Sequence, residues 1–133
     1  MAGAAGGVAV AALVQADIAQ LNLRAGSADA VASFYALGHL PSHEHAPLFH
    51  TIAQWLRPGG VLLTSAPVGS GDDRDESWLG VRMYFGGIGE TATRAAIESA
   101  ELAVEEWQIV PEDEGDGKVV RFLWVLARKP KNK

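Results

Sequence analysis

Apolar residues fall in short runs along the chain, broken by turn-forming residues, and the period of the runs changes from segment to segment. Residues 8–15 read as a first strand that ends at Asp17. Residues 29–65 follow as strand, functional loop, helix, tight turn and strand, and the rest of the chain is organised around them. The small and apolar runs at 30–34 and 61–63 suit parallel strands covered on both faces. Between them, Leu48, Ile52, Trp55 and Leu56 recur at helical spacing and predict a helix over 46–56. Pro47 is tolerated in its first turn, Arg57-Pro58 ends it, and Gly59-Gly60 turns the chain into the next strand.

Residues 67–89 read as a long connection. Its first part, 69–76, is a polar, mobile loop, and its second, 78–87, sets large apolar residues in an irregular segment. A helix is predicted over 90–100, with Ala92, Ala96 and Ile97 available for packing. Residues 102–110 form a strand that Glu105, Glu106 and Gln108 place near a sheet edge. An acidic turn at 111–117 leads to a last strand over 119–127, whose run Phe122-Leu-Trp-Val-Leu126 is apolar enough to be central.

These elements make an α/β domain, and in open α/β sheets ligands bind outside the carboxyl ends of the strands. Ser33, Tyr35, Gly38 and His39 therefore stand at one lip of a crevice, and Ser65 to Pro67 at the next.

Length and charge narrow the class. A chain of 133 residues makes one domain and buries about two-thirds of its unfolded surface. With 48% hydrophobic and 20% charged residues it is globular rather than disordered. A net charge of −5 argues against a nucleic-acid surface, and the basic run at 128–133 reads as a short solvated tail. The absence of cysteine excludes disulfides, thiolate nucleophiles and Cys-type zinc sites, and fits a cytoplasmic protein. Residues 1–7 read as a flexible leader; the first thirteen residues lack a basic n-region and are too short to span a membrane. Gly3, Gly6 and Gly7 follow no strand and match neither glycine-rich nucleotide spacing.

His39, His43, His45 and His50 cluster in one region, but without cysteine and with only Glu44 nearby they read as a solvated surface, not a metal site. Asp72, Asp73, Asp75 and Glu76 beside Arg74 match no calcium loop. The aromatics of 78–87 either form an exposed binding patch or staple the loop to the core.

The pieces Gln15-Ala-Asp-Ile18, Asp29-Ala-Val31, His39-Leu-Pro41, Trp55-Leu-Arg-Pro-Gly-Gly60 and Arg121-Phe-Leu-Trp124 occur in an order and spacing that resembles the second half of class I S-adenosylmethionine-dependent methyltransferases. The resemblance runs from Val14 to Pro130; the family's first half, with its glycine-rich cofactor loop, has no counterpart. It implies a partial Rossmann-like sheet, mostly parallel, with an antiparallel final strand between the family's fifth and sixth. The strand over 8–15 is normally separated from the organising strand by two strands of the missing half. It either pairs with that strand directly or leaves a gap for another chain.

The same resemblance implies roles. Asp17 would accept from the adenine amino group and Ile18 pack on the adenine, with Ser33 and Phe34 also on the cofactor side. Asp17 read alone is as well explained by a turn. His39, with Tyr35 beside it, would orient substrate or accept a proton; alternatively His39 bonds the loop backbone. Trp78, Met83, Tyr84 and Phe85 would line an acceptor pocket, and Arg82 would meet an anionic group. Where the family has a glycine after the second helix, this chain has Glu101, which either adopts a left-handed conformation or ends the helix differently.

The implied activity is methyl transfer from S-adenosylmethionine to a small-molecule acceptor, given a completing cofactor-binding half. Weak or absent cofactor binding is expected for this chain alone. The alternatives are a non-catalytic binding or dimerisation module and an inactive truncated product. A small molecule, with no nucleic acid and no membrane, is the expected partner, and a bare sheet edge invites homo-oligomers.

Overall fold

The computed structural model describes residues 10–115 and 117–131, and of 70–72 the backbone alone. In chain order the elements are β1 (Ala28–Ser33), single 3₁₀ turns at Leu37–His39 and Ser42–Glu44, α1 (His45–Trp55), β2 (Leu56–Pro67), β3 (Ser70–Trp78), β4 (Val81–Ile88), α2 (Gly89–Ser99), β5 (Ala103–Asp113) and β6 (Val119–Arg128).

The main sheet is ordered β1-β2-β6-β5, and β3-β4 form a separate hairpin. Strand β1 runs parallel to β2, with Val31 beside Leu62. Strand β6 lies antiparallel to both β2 and β5, so β1, β2 and β5 share one direction. This is the neighbour order that the resemblance implies, with the antiparallel last strand between its two expected partners.

Both helices pack on one face. Leu48, Phe49, Ile52 and Trp55 of α1 and Ala96 and Ile97 of α2 join Leu62, Ala66, Leu123, Val125 and Ala127 of the sheet in one core. The alternation of β6 follows, with Leu123, Val125 and Ala127 buried and the residues between them half-buried. The uninterrupted apolar runs therefore do not mean cover on both sides. Leu63 remains 38% exposed on the far face, because α1 and α2 both lie against the other.

Three further expectations change. The described part of the first predicted strand, 10–15, makes only an isolated bridge at Val10, and Val10, Leu13 and Val14 are 77%, 79% and 74% exposed; residues 8 and 9 lie outside the described residues, as does the leader, 1–7. Among the described residues no strand ladder joins it to β1.

The connection over 67–89 is no irregular loop but the hairpin β3-β4, closed by Leu79 and Gly80, which both have positive φ (48° and 84°). That is the two-residue hairpin geometry that usually asks for Asn-Gly, and leucine in the first place hid it. The basic tail, finally, begins in built structure. Arg128 pairs with Glu105 at 2.8 Å, and Lys129 Nζ donates to the carbonyls of Ala53 and Leu56, each at 2.8 Å, closing the end of α1.

Glu101 takes the left-handed conformation, with φ 64°. Its N–H bonds the Glu98 carbonyl at 2.9 Å and that of Leu102 bonds Ile97 at 3.3 Å, a glycine-type helix stop made without glycine.

Candidate functional site

Strands β1 and β2 end side by side, and the β3-β4 hairpin folds across their carboxyl ends. A cavity of about 600 Å³ opens there. Its floor is Ser65, Ala66 and Pro67; one wall is Tyr35, Gly38 and His39; the hairpin supplies Arg74, Trp78 and Phe85; and the start of β6 supplies Arg121 and Phe122.

Tyr35 turns the chain out of β1 with φ 58°, a conformation that bulky residues rarely adopt. Its N–H is held by Ser65 Oγ at 2.7 Å, which ties the two lips together. Its ring stands edge-on to Phe122 and Trp124 at 5.0 and 5.8 Å. Its hydroxyl donates to both oxygens of Glu112 at 2.8 Å, and that bond raises the phenol pKa.

His39 Nδ1 lies 2.9 Å from the Tyr84 carbonyl. A carbonyl only accepts, so Nδ1 carries the hydrogen and Nε2 of the neutral ring is left as an acceptor. The ring packs 5.1 Å from that of Phe85. His45, by contrast, is a core histidine. It is buried, its Nε2–H donates to Leu40 O at 3.1 Å, and burial lowers its pKa so that it stays neutral.

The hairpin is fastened by Asp73. Its carboxylate receives the Ser42 amide at 3.0 Å, the Ser42 hydroxyl and the Tyr84 hydroxyl. Ser42, chiefly, and Tyr84 bring Asp73 down to about 2, and the bond to Asp73 pushes Tyr84 up to about 12. Gly86 lets the strand press close: a Cβ there would collide with the Leu40 carbonyl.

Of the residues singled out from the sequence, Tyr35, His39, Trp78 and Phe85 come together on the cavity. Arg82, Met83 and Tyr84 do not line it. Arg82 pairs with Asp75 at 2.8 Å with its side chain 81% exposed, and Tyr84 reaches the site only through its carbonyl. Asp17 accepts the Ala19 amide at 2.9 Å, the turn geometry, and Ile18 packs half-buried against the core. Ser33 O accepts the Thr64 hydroxyl at 2.9 Å, and the Phe34 ring lies 5.3 Å from that of Trp124. None of these four lines the cavity.

Sequence reasoning missed Arg74, Glu114, Arg121 and Phe122. Trp78 Nε1 donates to Glu114 at 3.3 Å; Arg74 pairs with Glu76 at 3.1 Å and lies over the Phe85 ring, 5.7 Å from its centre. Arg74 lies in a segment that reads as a loop and Glu114 in a predicted turn, while Arg121 and Phe122 belong to the predicted last strand, whose sequence carries no sign that its start reaches the crevice. Among the described residues no cluster of three or more His, Asp or Glu is placed to hold a metal ion.

A family model described as a methyltransferase domain matches residues 2–64. The fold is similar to an S-adenosylmethionine-dependent methyltransferase from Methanosarcina mazei (TM-score 0.71, 11% identity, covering 88% of this chain and 66% of that one). It is similar to the 1,6-didemethyltoxoflavin-N1-methyltransferase of Burkholderia thailandensis, solved with 1,6-didemethyltoxoflavin and S-adenosylhomocysteine bound (0.65, 19%, 88% and 50%). A third likeness is to an S-adenosylmethionine-dependent methyltransferase from Mesorhizobium loti (0.62, 22%, 86% and 67%). The chain thus spans 50% to 67% of the length of these structures. No curated protein matches it. The chain thus has a sequence match to a methyltransferase domain over residues 2–64 and shares the fold of S-adenosylmethionine-dependent methyltransferases.

Proposed function

We infer that the chain carries the acceptor side of a methyltransferase that modifies a small molecule at O, N or C. The observation that carries this reading is His39, whose Nδ1–H is committed to the Tyr84 carbonyl on the wall of an aromatic cavity. Nε2 is then the ring nitrogen able to take a proton from an acceptor hydroxyl or amine. Tyr35 works differently. Its hydroxyl is spent on Glu112, so it serves as an oriented wall rather than a proton donor.

The donor expected from the family is S-adenosylmethionine. The described residues do not fit it as a complete site: Asp17 spends one carboxylate oxygen on its own turn, and Asp17, Ile18, Ser33 and Phe34 stand off the cavity. Gly3, Gly6 and Gly7 lie outside the described residues. That misfit favours a second reading, a non-catalytic small-molecule-binding module on the same fold. A cytoplasmic setting belongs to the proposal and rests on the lack of cysteine; no helix among the described residues is long and apolar enough to cross a membrane.

Mass spectrometry of phenols and amines incubated with the chain and millimolar S-adenosylmethionine tests both readings. Methylated product, formed about a hundredfold or more slower by His39→Ala, is the expected result. Product formed at an unchanged rate by that variant overturns the role of His39, and acceptor binding without any product moves the conclusion to the second reading.

A further inference from the structure

We propose that the acceptor is an aromatic molecule carrying an anionic group, with Arg121 as the residue that selects the charge. The inference rests on the reading of the cavity as the acceptor site and deepens it. Tyr35, Trp78, Phe85 and Phe122 present rings from the loop after β1 and from β3, β4 and β6. Rings offset or edge-on at 4.5–7 Å attract one another beyond simple burial, so such walls favour a flat aromatic guest over an aliphatic one.

The charged groups then decide what the ring carries. Arg74 is paired with Glu76 and already lies over Phe85. Glu114 holds the Trp78 indole N–H, and Lys118 has a partner of its own. Glu112, behind Tyr35, holds its hydroxyl. Among the cavity's charged side chains, that of Arg121 alone makes no ion pair or hydrogen bond with the described residues. A guanidinium offers a planar cationic fork that matches a carboxylate or phosphate. A cationic guest would face that charge with every wall carboxylate already engaged. Arg82, the arginine expected from the sequence, is tied to Asp75 and turned to solvent, which leaves Arg121 to do this.

Calorimetric titration of the chain with para-hydroxybenzoate and its neutral isostere para-hydroxybenzamide tests the assignment. The benzoate is expected to bind about tenfold tighter, the size of one charge-assisted hydrogen bond. Arg121→Gln should erase that difference and leave the affinity for the amide unchanged. Trp78→Ala should weaken both probes, and Lys131→Gln, which removes a cation away from the cavity, should change neither. Amide binding as tight as benzoate binding, or a preference that survives Arg121→Gln, overturns the charge assignment while leaving the cavity as the acceptor site. Binding of neither probe overturns the aromatic class as well; methyl transfer to some other acceptor, slowed by His39→Ala, would show that the site reading outlives it.

Discussion

Tyr84 donates its phenolic hydrogen to the Asp73 carboxylate, which also receives the amide and hydroxyl of Ser42. One carboxylate thereby joins both strands of the hairpin to the loop ahead of α1, and so holds the cavity's outer wall over its floor.

That clamp has a pH window. Asp73 sits at about 2, below its ordinary 3.8, so its contribution is present above about pH 4 and is lost as the pH falls toward 2. Tyr84 sits at about 12, above its ordinary 10.0, so its contribution is present below about pH 10 and is lost as the pH rises toward 12. Amide hydrogen exchange in β4, corrected for intrinsic rate, should therefore be slowest across the middle of that range. Asp73→Ala should speed it about tenfold near neutrality while leaving the amides of β6 protected, because the clamp touches no core residue. Equal acceleration in β4 and β6 would show that the clamp supports the whole fold instead.

Glu101→Gly should stabilise the protein. The left-handed conformation costs a side-chain residue roughly 1–2 kcal/mol, and glycine gives part of that back as chain entropy in the unfolded state, so a net gain of about 0.5–1 kcal/mol is expected. Urea midpoints measure it. Glu101→Val, with a β-branched side chain at φ 64°, should move the midpoint the other way.

The donor should bind weakly. The resemblance implies that a complete site holds the ribose hydroxyls on a carboxylate, which accepts two charge-assisted hydrogen bonds of roughly 1.5–3 kcal/mol each, and no described residue on the cavity offers such an unspent carboxylate. Loss of that much, at about 1.4 kcal/mol per tenfold, turns a micromolar site into a millimolar one or worse. Calorimetry with S-adenosylhomocysteine measures it. Submillimolar binding abolished by Asp17→Ala would falsify the expectation and assign Asp17 to the cofactor.

Self-association should occur through β1. It ends the sheet order among the described residues, so no further strand covers its outer edge there, and Phe34 is 45% exposed just beyond it. Pairing about a two-fold axis would close both edges at once. Sedimentation should show dimers at high concentration, shifted toward monomer by Ala32→Lys. A clean monomer at every concentration would leave the edge simply solvated.

Much was legible before any coordinates. Leu48, Ile52 and Trp55 marked α1, Arg57-Pro58 marked its end, although Gly59-Gly60 lies within β2 and not in a turn ahead of it, and the apolar strand at 122–126 marked the centre of the sheet, because helical and strand periods are local and burial follows them. Tyr35 and His39 were placed at the crevice by the same logic, since the carboxyl ends of strands are fixed once strand direction is.

The hairpin was a different matter. Arg82 and Phe85 stand three residues apart, and only pairing in β4 puts them on opposite faces, one out to Asp75 and the other onto the cavity. Leu79 at a positive φ concealed the turn that creates this pairing. Arg121 reaches the same cavity from the start of β6, 47 positions beyond Arg74 on the hairpin by their own numbering. Sequence by itself determined α1, α2 and the four strands of the main sheet, and the end of that sheet at which the cavity opens, because those depend on period and direction. The tertiary structure decided which charges face the cavity and which tie up one another, because that is settled by through-space distances between segments whose sequences carry no common signal.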